Sequence, residues 1–71
     1  MKNRIKIARA EVGFTQQQLA EKAGVSRQTI IAIESGKYIP STLLALKFAH
    51  IFQTSTDNLF QIEASDWNHK K

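Results

Sequence analysis

The stretch TQQQLAEKAGVSRQTIIAIESG, residues 15–36, reads as two short helices joined by a sharp turn. Thr15 and Gln18 have the T-x-x-Q spacing of a capping box, in which each side chain bonds to the other residue's backbone N–H. Phe14 before the cap and Leu19 in the first turn are spaced as a hydrophobic staple. The arrangement then repeats. Ser26 can cap a second helix, with Val25 and Ile30 as its staple, although Thr29 at the third position supplies no capping box. Ala23-Gly24-Val25 leaves room only for a tight turn, and Gly24 supplies the positive φ that such a turn demands. Ala20 keeps the first helix thin where the second must cross it.

A preceding helix is predicted over about residues 3–11, with Ile5, Ala8 and Val12 marking its buried face and Gly13 closing it. Gly36 stands where the second helix of the pair must end. Lys37-Tyr38-Ile39-Pro40 form a loop, because Pro40 disfavours helix before it, and Ser41 can cap the next helix. That helix is predicted over residues 42–52, with Leu44, Ala45, Phe48, Ala49 and Phe52 in one apolar stripe. Ser55 can cap a last short helix at 56–60, where Asp57 in the first turn suits the helix dipole. Residues 60–64 alternate apolar and polar and read as a short strand. The expectation is thus an all-α, five-helix domain over residues 1–60, with its paired helices at 15–36. A tail at 61–71, with a short C-terminal strand, follows it.

Seventy-one residues, 42% of them hydrophobic, suffice for one small core. The chain has no cysteine, which excludes a disulfide scaffold, a thiolate metal site and a cysteine nucleophile. No apolar run approaches signal-peptide or membrane-span length, so a cytoplasmic location and no membrane partner are expected. Ten Lys and Arg against six Asp and Glu give a formal charge of +4, with an isoelectric point near 9.8. That balance favours a polyanionic partner such as nucleic acid. Lys70 and Lys71 read as a solvated tail. His50 and His69 lie nineteen residues apart with no carboxylate at ligand spacing, so no metal site is expected. Nothing resembles a phosphate loop or catalytic triad; no enzyme activity, cofactor or small-molecule ligand is expected.

Residues 15–36 resemble the helix-turn-helix of phage-repressor-like (Cro/C1-type) transcriptional regulators, and this chain resembles a short stand-alone member. The resemblance rests on Ala20, Gly24 and the apolar Leu19, Val25, Ile30 and Ile33. With the order and lengths of the five helices, it extends over about residues 3–60. Two departures stand out. Gln53 occupies a position where family members often carry Gly, which implies a left-handed backbone there. Thr42 replaces the usual Leu, which leaves Leu43 exposed.

The resemblance implies that the second helix of the pair enters the major groove of double-stranded DNA by its N-terminal end. Arg27 can bridge O6 and N7 of guanine, and Gln28 can bridge N6 and N7 of adenine. Ile31 and Ala32, one turn on, could pack against a thymine methyl. Ile31 has a second reading as a core residue, but Ile30 and Ile33 already define the inward side. Gln16 and Gln17 open the first helix of the pair, whose amides suit a phosphate. Thr29, Lys37 and Tyr38 are further phosphate candidates by resemblance, with plain surface as the alternative. The family also pairs a helix 1 arginine with a glutamate late in the reading helix, which makes Arg9 and Glu34 a structural ion pair here.

The smallest family members use a terminal strand or last helix to form homodimers. By that resemblance Leu59, Phe60, Ile62 and Trp67 are dimer-interface candidates, the alternative being a frayed end. The function implied is that of a bacterial or phage-type transcription regulator, a repressor that occupies a palindromic operator as a homodimer. The rival readings are an antitoxin, a restriction-modification controller, or a protein-interaction module that has lost DNA binding.

Overall fold

The computed structural model describes residues 1–67, which form β1 (Lys2–Asn3), α1 (Ile5–Val12), α2 (Gln16–Ala23), α3 (Arg27–Glu34), α4 (Thr42–Ile51), α5 (Thr56–Leu59) and β2 (Phe60–Gln61), followed by a 3₁₀ turn at Ala64–Trp67. Lys70, Lys71 and His69 lie outside the described residues. Helices of eight to ten residues are marginal alone in water, so each depends on its caps and on packing. The caps are regular. Thr15, Ser26, Ser41 and Ser55 each accept a hydrogen bond from the backbone N–H three residues on. At α2 the box is complete, since Gln18 Oε1 also accepts from Thr15 N–H at 2.8 Å.

Ten apolar residues make the core: Ile5, Leu19, Ala20, Ala23, Ile30, Ile33, Leu44, Phe48, Ala49 and Leu59. Phe48 is the largest fully buried side chain and comes from α4, which packs against α2. Gly24, at φ 74°, lets its own N–H and that of Val25 satisfy the last carbonyls of α2, and so turns the chain into α3 within three residues. Lys47 of α4 donates to the Ala23 carbonyl at 3.2 Å, adding a cation at the negative end of α2. Gln53 holds a left-handed φ of 54° after α4, and Leu43 is 64% exposed.

The two ends of the chain depart from the sequence expectations. Asn3, expected within the first helix, lies in β1, which pairs antiparallel with β2 (Lys2 opposite Gln61, Asn3 opposite Phe60). The side chain of Asn3 explains the later helix start. Its Oδ1 accepts from Ile5 N–H at 3.1 Å and its Nδ2 donates to the Ile33 carbonyl at 2.8 Å. It therefore satisfies the first N–H of α1 from outside the helix, whose N-cap is Arg4, and ties that helix start to the end of α3. The C-terminal strand stops at Gln61 instead of residue 64, where its partner strand also ends. The fold is mostly helical, with this small sheet joining its termini. Val12, expected inward, is 49% exposed at the free end of α1, where it lines an open groove with Ile7 and Phe52.

After β2 the chain folds back on Met1. The Met1 ammonium lies 3.0 Å from Glu63 and 3.2 Å from Asp66. Hydrogen bonds to Glu63 and Asp66 raise the ammonium pKa above its ordinary value. The Glu63 backbone N–H lowers that of Asp66, with a smaller contribution from the ammonium. A raised ammonium pKa gives stability that is lost as pH rises through the folded value. A lowered carboxyl pKa gives stability that is lost as pH falls through its folded value. The clasp is therefore intact in the neutral range and opens at both extremes. Trp67, the single tryptophan, adjoins it, so its fluorescence should show two transitions, one acid and one alkaline. A flat profile would contradict the clasp.

The strongest tie between helices is Arg9 to Glu34. Arg9 Nε donates to Glu34 Oε2 at 2.7 Å, with side chains 15% and 6% exposed. Arg9 Nη1 also donates to the Phe14 carbonyl at 3.0 Å. Removing one partner from so enclosed a pair should cost about 3 kcal/mol. A double-mutant cycle with Arg9→Ala and Glu34→Ala should return a coupling well above about 1 kcal/mol by thermal or urea unfolding. Zero coupling would mean that the contact contributes nothing.

Candidate nucleic-acid interface

α3 is built to be read from outside. Ile30 and Ile33 are fully buried and set its inward direction. At about 100° per residue, Gln28, Ile31 and Ala32 turn to the opposite side, with Arg27 at its edge. Arg27 and Gln28 are exposed, and Ile31 is 42% exposed and outside the core. Ala32 is half-buried because the following loop folds over it. Its carbonyl accepts from both Lys37 N–H at 2.9 Å and Tyr38 N–H at 3.2 Å. These two hydrogen bonds to one carbonyl place the Lys37 and Tyr38 backbone directly against the end of α3, with both side chains exposed.

The start of α2 lies beside this face. Arg9, Thr15, Gln16, Gln17 and Arg27 line one open polar groove of about 610 Å³. Of the expected phosphate residues, Gln16 and Gln17 thus share a groove with the base-reading candidate Arg27. Gln17 donates its side-chain amide to Glu21 Oε2 at 3.1 Å, along its own helix. Gln16 donates to Glu34 Oε1 at 3.1 Å. Thr29 is half-buried, and its Oγ1 lies 2.9 Å from the Ser26 hydroxyl within the α3 cap. Lys37 and Tyr38 do not line the α2 groove; they stand at the opposite end of α3.

Sequence reasoning missed two contributors. The Gln16–Glu34 contact spans 18 positions and left no signal in either helix. Ile39, an apolar residue in a loop before proline, is 59% exposed and lines a shallow apolar groove with Met1, Ile62 and Trp67. Leu59, assigned to a dimer interface, is only 3% exposed in the single chain. It packs in the core of the single chain, and its carbonyl accepts from Arg4 N–H at 2.8 Å. Phe60 is half-buried against Phe48, with ring centroids 6.5 Å apart. Ile62 and Trp67 are 63% and 65% exposed. Among the described residues no group of three His, Asp or Glu could hold a metal ion, and no helix is long and apolar enough to cross a membrane.

A capped α2, a glycine turn and an outward-facing α3 held on a helical core define a helix-turn-helix DNA-binding domain. Comparison places it further: residues 5–59 match the helix-turn-helix family, and the chain belongs to that family, in its Cro/C1-type branch of transcriptional regulators. It is similar to YgzD, an uncharacterized HTH-type transcriptional regulator of Bacillus subtilis, with 48% identity over 63 residues, 89% of this chain and 96% of the relative. A second such regulator, MJ0272 of the archaeon Methanocaldococcus jannaschii, is 54% identical over 63 residues with the same coverage. Among solved structures, a chain of the SinR protein/SinI protein complex matches with a TM-score of 0.75 at 30% identity. The match covers 92% of this chain but 64% of that one, so this chain spans less than two thirds of its length. The family is one of transcription regulators and not of enzymes.

The exposure of Ile31 gives a direct test of the face assignment. Ile31→Ala should change stability by no more than about 0.5 kcal/mol, as surface substitutions do. Its neighbour Ile30→Ala should cost about 2–5 kcal/mol. Thermal melts of the two variants that coincide would contradict the orientation of α3.

Proposed function

We propose that this protein is a transcriptional repressor that binds a palindromic operator as a homodimer in the cytoplasm. One observation carries the reading: α3 keeps Arg27, Gln28 and Ile31 outward on a helix whose opposite side is wholly buried. No core role accounts for that set. In the proposed complex Arg27 reads guanine, Gln28 reads adenine, and Ile31 and Ala32 meet thymine methyls. Gln16, Gln17, Thr29, Lys37 and Tyr38 hold phosphates, which fix register without reading sequence. Repression needs only occupancy of the site.

The homodimer is supported by the exposed apolar residues Ile39, Ile62 and Trp67, which cluster on one groove, with Phe60 partly covered behind them. Apolar patches of this kind mark interfaces. One chain reads few bases, whereas two reading helices about 34 Å apart address successive major grooves on one side of the duplex.

Selection of bound sequences from a random duplex pool should return a two-fold symmetric site. On it, Arg27→Ala or Gln28→Ala should cost about 1–3 kcal/mol, with a smaller loss on unrelated DNA. If a dimer neutralises roughly 6 phosphates, log affinity should fall with log salt at a slope near −5. Lys37→Ala should weaken all sequences alike and flatten that slope; a loss confined to one sequence would reassign Lys37 to base reading. Ile62→Ser with Trp67→Ser should leave the fold intact and convert the dimer to monomer by sedimentation. An unchanged dimer would remove these residues from the interface.

A further inference from the structure

Glu34 is an acid set among residues proposed to meet a polyanion, and its contacts give it a task beyond the ion pair. Oε2 accepts from Arg9 Nε at 2.7 Å. Oε1 accepts from Gln16 Nε2 at 3.1 Å and from Arg9 Nη2 at a longer 3.4 Å. Gln16 is the first residue of α2 and half-buried. Its terminal amide turns about a broad torsion that packing alone fixes poorly. A carboxamide nitrogen carries two hydrogens, and Glu34 takes one of them. The second is left to the polar groove that Gln16 lines with Arg9, Thr15, Gln17 and Arg27.

We infer that Glu34 is a positioning residue for DNA binding: it holds the Gln16 amide so that its second N–H meets a phosphate in that groove. The inference rests on the reading of the chain as a duplex-DNA binder. Arg9 offsets the charge of Glu34, so the carboxylate can stand behind the phosphate contact without repelling the duplex. Ordering a free glutamine on binding carries an entropy cost; here the fold has already ordered it.

The sign of one effect separates positioning from simple electrostatics. Were Glu34 only a nearby negative charge, neutralising it would tighten DNA binding. As a positioning residue, its loss weakens binding, and only while Gln16 is present. The test measures affinity of the full chain for a short mixed-sequence duplex, across a salt series, at a temperature where circular dichroism shows every variant folded. Gln16→Ala should weaken binding about tenfold, the scale of one hydrogen bond to a charged group. Its salt slope should stay that of the parent, since a neutral amide releases no counterion. Glu34→Gln should weaken binding about fivefold in the parent, as a charge-assisted bond becomes a neutral one, and not at all in the Gln16→Ala background. Should Glu34→Gln unfold, Arg9→Met with Glu34→Leu carries the same comparison, because it keeps net charge and replaces the buried pair by apolar volume. Tighter binding by Glu34→Gln, or equal weakening in both backgrounds, overturns the inference while leaving DNA binding intact. Failure of the parent chain to bind any duplex overturns both.

Discussion

A carboxylate enclosed where three helices meet constrains the rest of the molecule. Taking Glu34 out of water costs several kcal/mol unless its oxygens are met by donors. The donors come from the last turn of α1, through Arg9, and from the first residue of α2, through Gln16. A shift of α1 would strand a charge, and a shift of α2 would take a donor from Glu34 Oε1. Asn3 reinforces the same junction by joining the start of α1 to the Ile33 carbonyl one residue before Glu34. The end of α3 is therefore held by polar contacts of fixed geometry, while its middle is held by the less directional burial of Ile30 and Ile33.

That division of labour suits the reading role proposed for α3. Apolar burial supplies most of the stability, at roughly 1.5–3 kcal/mol for each fully buried large side chain, and Phe48, Ile5, Leu19, Ile30 and Ile33 are all of that kind. Burial alone tolerates small rotations, which would swing Arg27 and Gln28 along the groove. Polar ties at the end of α3 and the Ser26 cap at its start remove that freedom. The exposed side of α3 can then vary in sequence with little effect on the fold.

The helices were legible because their signals are local. Thr15, Ser26, Ser41 and Ser55 announce helix starts by residue type, and the apolar spacing within each helix shows which side turns inward. What lay beyond reach was set by partners distant in sequence. Asn3 reads as helix until Phe60 is known to lie opposite it, and the burial of Leu59 within the single chain shows only once the chain is folded. Val12 keeps the period of the buried face, yet the core does not extend beneath the end of α1. At the candidate interface, spacing assigned Arg27, Gln28 and Ile31 to one side of α3. The Arg9–Glu34 pair could be connected only through resemblance to a family, and the Gln16 contact to that pair could not be connected at all.

The outward side of α3 and the start of α2 are proposed to form one DNA-binding surface. Backbone amide chemical shifts, followed as duplex DNA is added, test it most directly. The perturbed amides should cluster at Gln16, Gln17 and Arg27 through Ala32, with Lys37 and Tyr38, while the groove of Ile7, Val12 and Phe52 stays silent. Perturbations centred on that groove, with α3 unmoved, would contradict it.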